Sequence, residues 1–243
     1  MNFNNSNVPS FYHNNAFLQK RVANHLLNFS IDNLKINNNT NLNNILDVGC
    51  GTGFLTKAFA DHFDNSCVIG VDNSQSMIDF ANAITIKECV YNNVRFLNCD
   101  YNFIDQKFDL IVSSFAMQWF DNLEHFLNIV SQRTKFFCFA LPLNSSFCEI
   151  ESLCFYNNIK TPFYPLPSFE KMNYLLNRCK KFNCYSYVYS QKFDNISSLL
   201  KHLNKIGAGG NSFSLLDSKK LLSLFQNRVV DLSYDVFFSF VEF

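Results

Sequence analysis

The chain has 243 residues, with 20 basic and 20 acidic side chains and a formal net charge of zero. That balance excludes a general nucleic-acid binder, which needs a basic excess to meet phosphate. With 48% hydrophobic and 16% aromatic residues a large core can be buried, yet no apolar run approaches the ~18 residues of a membrane-spanning helix.

Residues 1–10 have neither the basic start nor the apolar stretch of a secretory signal. The chain opens as a polar, Asn-rich arm. Over 14–29 the spacing of Leu18, Val22, Leu26 and Phe29 predicts an amphipathic helix. The low-complexity polar stretch 37–44 reads as a surface connection into the first strand. Strands are expected near 45–48, 67–72, 94–98, 108–113 and 134–141, with helices near 54–64, 74–86 and 122–132. Such alternation predicts a parallel sheet covered by helices on both faces.

After the fifth strand the pattern changes. Helical stretches near 146–158 and 168–179 flank a segment, 161–167, whose three prolines rule out regular structure. A strand at 185–193, helices at 196–206 and 218–227, and a closing strand at 234–243 complete the expected elements. The nine cysteines are scattered, with no C-x-x-C pair. Cys67, Cys99, Cys138 and Cys184 stand among apolar or strand-like residues, where a free thiol acts as a small hydrophobe. A reducing cytoplasm, without disulfides or a zinc site, is the expectation.

The chemistry concentrates at Ile45-Leu-Asp-Val-Gly-Cys-Gly-Thr-Gly-Phe-Leu55. A short apolar run stops in Gly49, Gly51 and Gly53 and passes into a helix-like stretch. Strand, glycine turn and helix form the first unit of a nucleotide-binding α/β sheet, with helix N–H groups aimed over the turn. The glycines run G-x-G-x-G, unlike the G-x-G-x-x-G of dinucleotide enzymes, and Asp47 stands two residues before the first. A carboxylate there suits a ligand with a cationic amino group and opposes a pyrophosphate. Val68-Ile-Gly-Val-Asp72 ends a second strand in an acid, nineteen residues after Gly53 (72 − 53). Asp72 can grip two ribose hydroxyls or cap the helix starting near Ser74. Val94-Arg-Phe-Leu-Asn-Cys-Asp100 places a third acid after the third strand, able to accept from an exocyclic amine or to serve as an ordinary turn residue.

Asp-x-Gly-x-Gly-x-Gly resembles motif I of class I S-adenosylmethionine (SAM)-dependent methyltransferases. The resemblance implies a three-layer Rossmann-like α/β fold. Its seven-stranded sheet is mostly parallel with an antiparallel last strand, and a helical lid between strands five and six overhangs the ligand edge. A single domain is expected over 1–243: arm and helix 1–44, SAM-binding core 45–141, lid insert 142–183, and closing elements 184–243. The implied cofactor contacts are Asp47, Gly49, Cys50, Gly51, Gly53, Asp72, Asn73, Met77, Asp100, Tyr101 and Ser113, with S-adenosylhomocysteine as product and no metal.

Within that superfamily three segments narrow the likeness. Ser113-Ser-Phe-Ala-Met-Gln-Trp-Phe-Asp-Asn-Leu123, Phe11-Tyr-His-Asn-Asn-Ala-Phe-Leu-Gln-Lys-Arg-Val-Ala23 and Leu200-Lys-His-Leu-Asn-Lys-Ile-Gly-Ala208 resemble the malonyl-acyl-carrier-protein O-methyltransferases of biotin synthesis. Leu166-Pro167 is similar to the start of their lid. That likeness implies methylation of the free carboxylate of malonyl-acyl-carrier protein or malonyl-CoA, with an acyl-carrier protein as partner and neither nucleic acid nor membrane involved. The alternative is another small-molecule SAM-dependent methyltransferase. A malonyl carboxylate is ionised at neutral pH, so no catalytic dyad is expected. Tyr12, Gln118 and Trp119 are the expected substrate-holding residues, Trp119 with core packing as its alternative, and His13 is expected to pack in the lid. Carrier-protein docking is expected at Lys201 and Lys205, helped by Arg178, Lys180 and Lys181.

Overall fold

β1, Asn44–Val48, is apolar wherever it can be: Ile45, Leu46 and Val48 are all buried. Burial on both faces is what a central parallel strand requires. β2 (Cys67–Asp72) and β4 (Phe108–Ser114) flank it, both parallel, in a sheet of order β3-β2-β1-β4-β5-β7-β6. Here β3 is Val94–Asn98, β5 Thr134–Pro142, β6 Lys181–Phe193 and β7 Val230–Glu242. The chain runs outward from β1 in one direction to β3 and in the other to β5, so the order reverses between β1 and β4. A ligand crevice is expected beyond the carboxyl ends of the strands at such a point. The last strand, β7, runs antiparallel to both β5 and β6, as the resemblance implies. The computed structural model describes residues 8–38, 41–88, 91–161, 163–206, 215–224 and 229–243.

Alternation along β5 divides the core. Phe136, Cys138 and Ala140 pack on one face of the sheet with α2 (Phe17–Ile36), α3 (Phe54–His62), α6 (Cys148–Tyr156) and α8 (Ile196–Ile206). Phe137, Phe139 and Leu141 pack on the other with α5 (Leu123–Arg133) and α7 (Phe169–Leu176). Each phenylalanine buried in these layers contributes about 1.5–3 kcal/mol. Caps fix the helix starts: Asn122 accepts from His125 N at 2.9 Å, and Ser168 accepts from Lys171 N at 3.2 Å. α4 (Gln75–Glu88) and α9 (Leu215–Leu224) complete the helices discussed below, together with α1 (Val8–Asn15).

The N-terminal segment differs from expectation. Instead of an arm and one helix over 14–29, two helices, α1 and α2, meet at the buried Ala16, whose backbone is not helical. α1 packs on α4 and α8, so tertiary contact outweighs the weak helix propensity of its asparagines. β6 begins at Lys181, so the insert ends earlier than 183, and α9 starts at Leu215, ahead of 218. Residues 207–214 and 225–228, which include Gly207 and Ala208 of the late motif, lie outside the described residues. Among the described residues no helix is long and apolar enough to cross a membrane, and the eight described cysteines are free thiols.

Candidate functional site

Asp47 ends the apolar run of β1 inside the fold, at 1% exposure. Its Oδ2 accepts from the Thr56 hydroxyl at 2.6 Å, while its Oδ1 has no partner. Burial, with the negative charge of Asp72 adding to it, pushes the Asp47 carboxyl up to about 7, and the Thr56 hydroxyl opposes that rise. The glycine turn follows. Gly49 has φ +73°, and a Cβ there would overlap the Ala116 side chain, so both conformation and space demand glycine. The Gly49 and Cys50 amides donate to the Val71 carbonyl at 2.8 and 3.0 Å.

Asp72 closes the turn from the next strand. Its Oδ2 accepts from Gly51 N and its Oδ1 from Ser74 N, both at 2.9 Å. The helix-start role left open in the sequence is therefore real, and each oxygen retains a lone pair for a ligand. Asp100 accepts from Asn102 N at 2.9 Å and caps the short 3-10 turn Tyr101–Phe103.

These three acids line one cavity of about 440 Å³ at the carboxyl ends of β1–β4. Gly49, Cys50, Gly51, Asn73, Met77 and Tyr101 line it as well, as do Tyr12, Gln118 and Trp119. The insert supplies Pro142, Phe147, Phe163, Tyr164 and Leu166. Two expected residues stand elsewhere. Ser113 is fully buried and donates to the Val48 carbonyl at 2.9 Å, outside the lining; the lining residue is Ser114, whose hydroxyl lacks a partner. Gly53, also outside the lining, starts α3 at φ +85°, and a Cβ there would stand 2.5 Å from the Phe96 ring. Close packing of strand and helix is its reason.

The three expected substrate-holding residues differ in what they offer the cavity. Tyr12 lies over the turn, about 4.0 Å from where a Gly51 Cβ would be. Burial first, then the charges of Asp72 and Asp47, hold its phenol well above the ordinary range, so it stays an O–H donor. Gln118 anchors its amide nitrogen on the Phe115 carbonyl at 2.7 Å, leaving its buried oxygen unpaired. The group it offers is thus an acceptor. Trp119, 40% exposed, meets the Tyr164 ring edge-on at 5.2 Å and is no core residue. His13 is outside the lining: it shares a hydrogen bond with the Thr52 hydroxyl at 3.1 Å and stacks on Phe54 at 4.5 Å. Burial, then Lys20 and Lys57, pull its imidazole down to about 4.

The expected basic cluster does not form as one patch. Arg178 pairs with Glu124 of α5, on the α5–α7 side of the sheet, while Lys201 is exposed on α8, on the opposite side. Lys180 pairs with Glu242 at 2.6 Å, and Lys181 is the first residue of β6. The Lys205 side chain lies outside the described residues. Sequence reasoning missed Gln19, Ser114, Phe147, Phe163, Tyr164 and Tyr234 of the lining. Ser114 stands one strand position from the expected Ser113.

The seven-stranded sheet with its antiparallel β7, the glycine turn after β1, and the acids on or just after β1, β2 and β3 together resemble a class I methyltransferase domain. Residues 45–135 match the family model described as a methyltransferase domain. The chain resembles malonyl-[acyl-carrier protein] O-methyltransferases in particular. It is 35% identical to the one from Acetivibrio thermocellus over 122 residues, 49% of this chain and 40% of that protein. That alignment thus spans less than two thirds of the relative's own length. The Priestia megaterium protein of the same name is 26% identical over 92% of this chain and 88% of its own length. Among solved structures, the magnesium protoporphyrin IX methyltransferase of Synechocystis PCC 6803 with bound SAH covers 93% of this chain and 86% of its own. The TM-score is 0.58 at 13% identity, a likeness of fold.

Proposed function

We propose that the protein is a SAM-dependent carboxyl O-methyltransferase that esterifies the free carboxylate of malonyl-acyl-carrier protein, an early step of biotin synthesis. The observation that carries the reading is the similarity over most of the chain to proteins of that name. The site fits the cofactor: the unpaired, buried Oδ1 of Asp47 is an acceptor waiting for a cationic group, and positive-φ glycines leave backbone room beside it. Asp47 would hold the ammonium, Asp72 the ribose hydroxyls and Asp100 the adenine amine. When bound, SAM supplies an electrophilic methyl group on a sulfonium.

Everything else falls to positioning. The malonyl carboxylate is already ionised, so the chain need not move a proton. Holding nucleophile and methyl in line is worth at most on the order of 7–11 kcal/mol. Phe147, Phe163, Tyr164 and Leu166 roof the cavity and keep water from a reaction in which opposite charges cancel. The unpaired Gln118 oxygen suits the amide N–H groups of a pantetheine arm. It equally suits an N–H or O–H acceptor, which is the specific support for the second reading, a different small-molecule methyltransferase.

The test has two arms. Labelled SAM is offered with malonyl carrier protein, malonyl-CoA and free small acceptors, and a biotin auxotroph lacking this step is given the gene. Label in the malonyl ester and growth without biotin are expected. Soluble, SAM-binding protein that does neither overturns the malonyl reading and leaves the second.

A further inference from the structure

The cavity wall contains a buried hydroxyl with no hydrogen-bond partner. Tyr234, near the start of β7, is 1% exposed, lines the cavity, and its phenolic oxygen has no hydrogen-bond partner. Buried polar groups are rarely left so. Two tyrosines of the neighbouring strand show the ordinary outcome. Tyr189 and Tyr185 of β6 share hydrogen bonds with the two ring nitrogens of His25, at 2.5 and 2.9 Å. Tyr189 stands directly opposite Tyr234 in the β6–β7 register. The two residues occupy paired positions, and only the one that lines the cavity lacks a partner.

The surroundings say what the hydroxyl is for. Of the insert residues lining the cavity, Pro142, Phe147, Phe163 and Leu166 are apolar, while Tyr164 packs edge-on against Trp119. The Phe147 ring meets Tyr234 edge-on at 4.8 Å and fixes its orientation. The charged side chains among the described lining residues are all acids, Asp47, Asp72, Asp100 and Asp121. An anionic acceptor entering such a cavity finds no Lys or Arg to meet it and needs a neutral donor. A neutral donor also stabilises the nucleophile's charge less than a salt bridge would, and so blunts its reactivity less.

Resting on the methyltransferase reading above, we infer that Tyr234 donates its phenolic hydrogen to the acceptor's carboxylate and seats it for methyl transfer. The phenol is held protonated, since burial raises it well above its ordinary value. Because the carboxylate loses its charge as the ester forms, this hydrogen bond is strongest before reaction. Its loss should therefore appear in KM rather than kcat.

The experiment compares Tyr234→Phe with Tyr189→Phe, using malonyl carrier protein and malonyl-pantetheine as acceptors. Tyr234→Phe should raise KM for both by about tenfold or more, as for a hydrogen bond to a charged group, with kcat changed less than about twofold. Its S-adenosylhomocysteine affinity by calorimetry should be unchanged. Its thermal midpoint should hold or rise, since an unpaired buried hydroxyl has been removed. Tyr189→Phe, which strands His25, should lower the midpoint and spare KM. Unchanged KM in a folded, ligand-binding Tyr234→Phe overturns the inference, as does a lowered midpoint with an equal loss of kcat. If the wild type binds S-adenosylhomocysteine but methylates neither malonyl substrate, the function reading fails first and the inference falls with it.

Discussion

Asp47 is an acid stationed where its neutral form is favoured. Its folded value, about 7, lies above the ordinary unfolded value, so the folded chain binds this proton more tightly. The stability that brings is full below about pH 4 and is lost as pH rises through about 7. Asp47→Asn should therefore stabilise the ligand-free protein at pH 8, on the order of 2–4 kcal/mol, with little gain at pH 4. Chemical denaturation across that range reads the difference. Ligand binding should show the converse. Wild-type affinity for S-adenosylhomocysteine should fall by up to about tenfold per pH unit below 7, as the acid must first ionise. The Asn variant should bind weakly at every pH, and equal pH profiles for both proteins would remove Asp47 from the ammonium site. At this scale, residues whose backbone setting is written into sequence were legible. A carboxylate before a G-x-G-x-G turn has few other uses, and Asp47, Gly49 and Gly51 stand in the cavity lining. Ser113 and Ser114 differ by one step of strand alternation, and with two adjacent serines nothing in composition says which one faces the ligand.

The helical insert and the segment after β4 meet at Trp119 and Tyr164. Because Trp119 is the chain's single tryptophan and is partly exposed, its emission reports this contact alone. Saturating S-adenosylhomocysteine with malonyl-pantetheine should blue-shift that emission as the ring loses water. Tyr164→Ala, which opens the contact, should red-shift the free protein and shrink the change on binding. An emission spectrum indifferent to ligand in both proteins would mean that the insert does not close over the site. β1, β2 and β3 were legible because each is a short run bounded by Gly, Asn or Asp. α1 was not, since its eight residues, Val8–Asn15, carry little apolar periodicity and are held by α4 and α8. Tyr234 was hidden for a related reason. A tyrosine in a strand reads as sheet packing until its neighbours across the fold are known.

At the scale of the whole molecule, the proposed function would have a chain of zero net charge meet an acidic carrier protein through a local basic face. Lys201, exposed on α8, and Lys205, four residues on, remain the candidates once Arg178 is engaged by Glu124. Reversing both to Glu should slow methylation of malonyl carrier protein and flatten its salt dependence, because rim charges act mainly on association. Turnover of malonyl-pantetheine should stay within about twofold. Equal losses on both substrates would place the docking face elsewhere. The sheet order carries a further consequence. β7 lies between β5 and β6, so β5, paired only with β4, keeps one open edge and β6 has no partner strand until the ribosome has delivered residues 230–242. Until then Phe136 to Leu141 and the tyrosines of β6 stand as open edges, poised to pair with another nascent chain. Yield in a foreign host should therefore follow synthesis rate and chaperone supply more closely than the equilibrium stability of the finished domain.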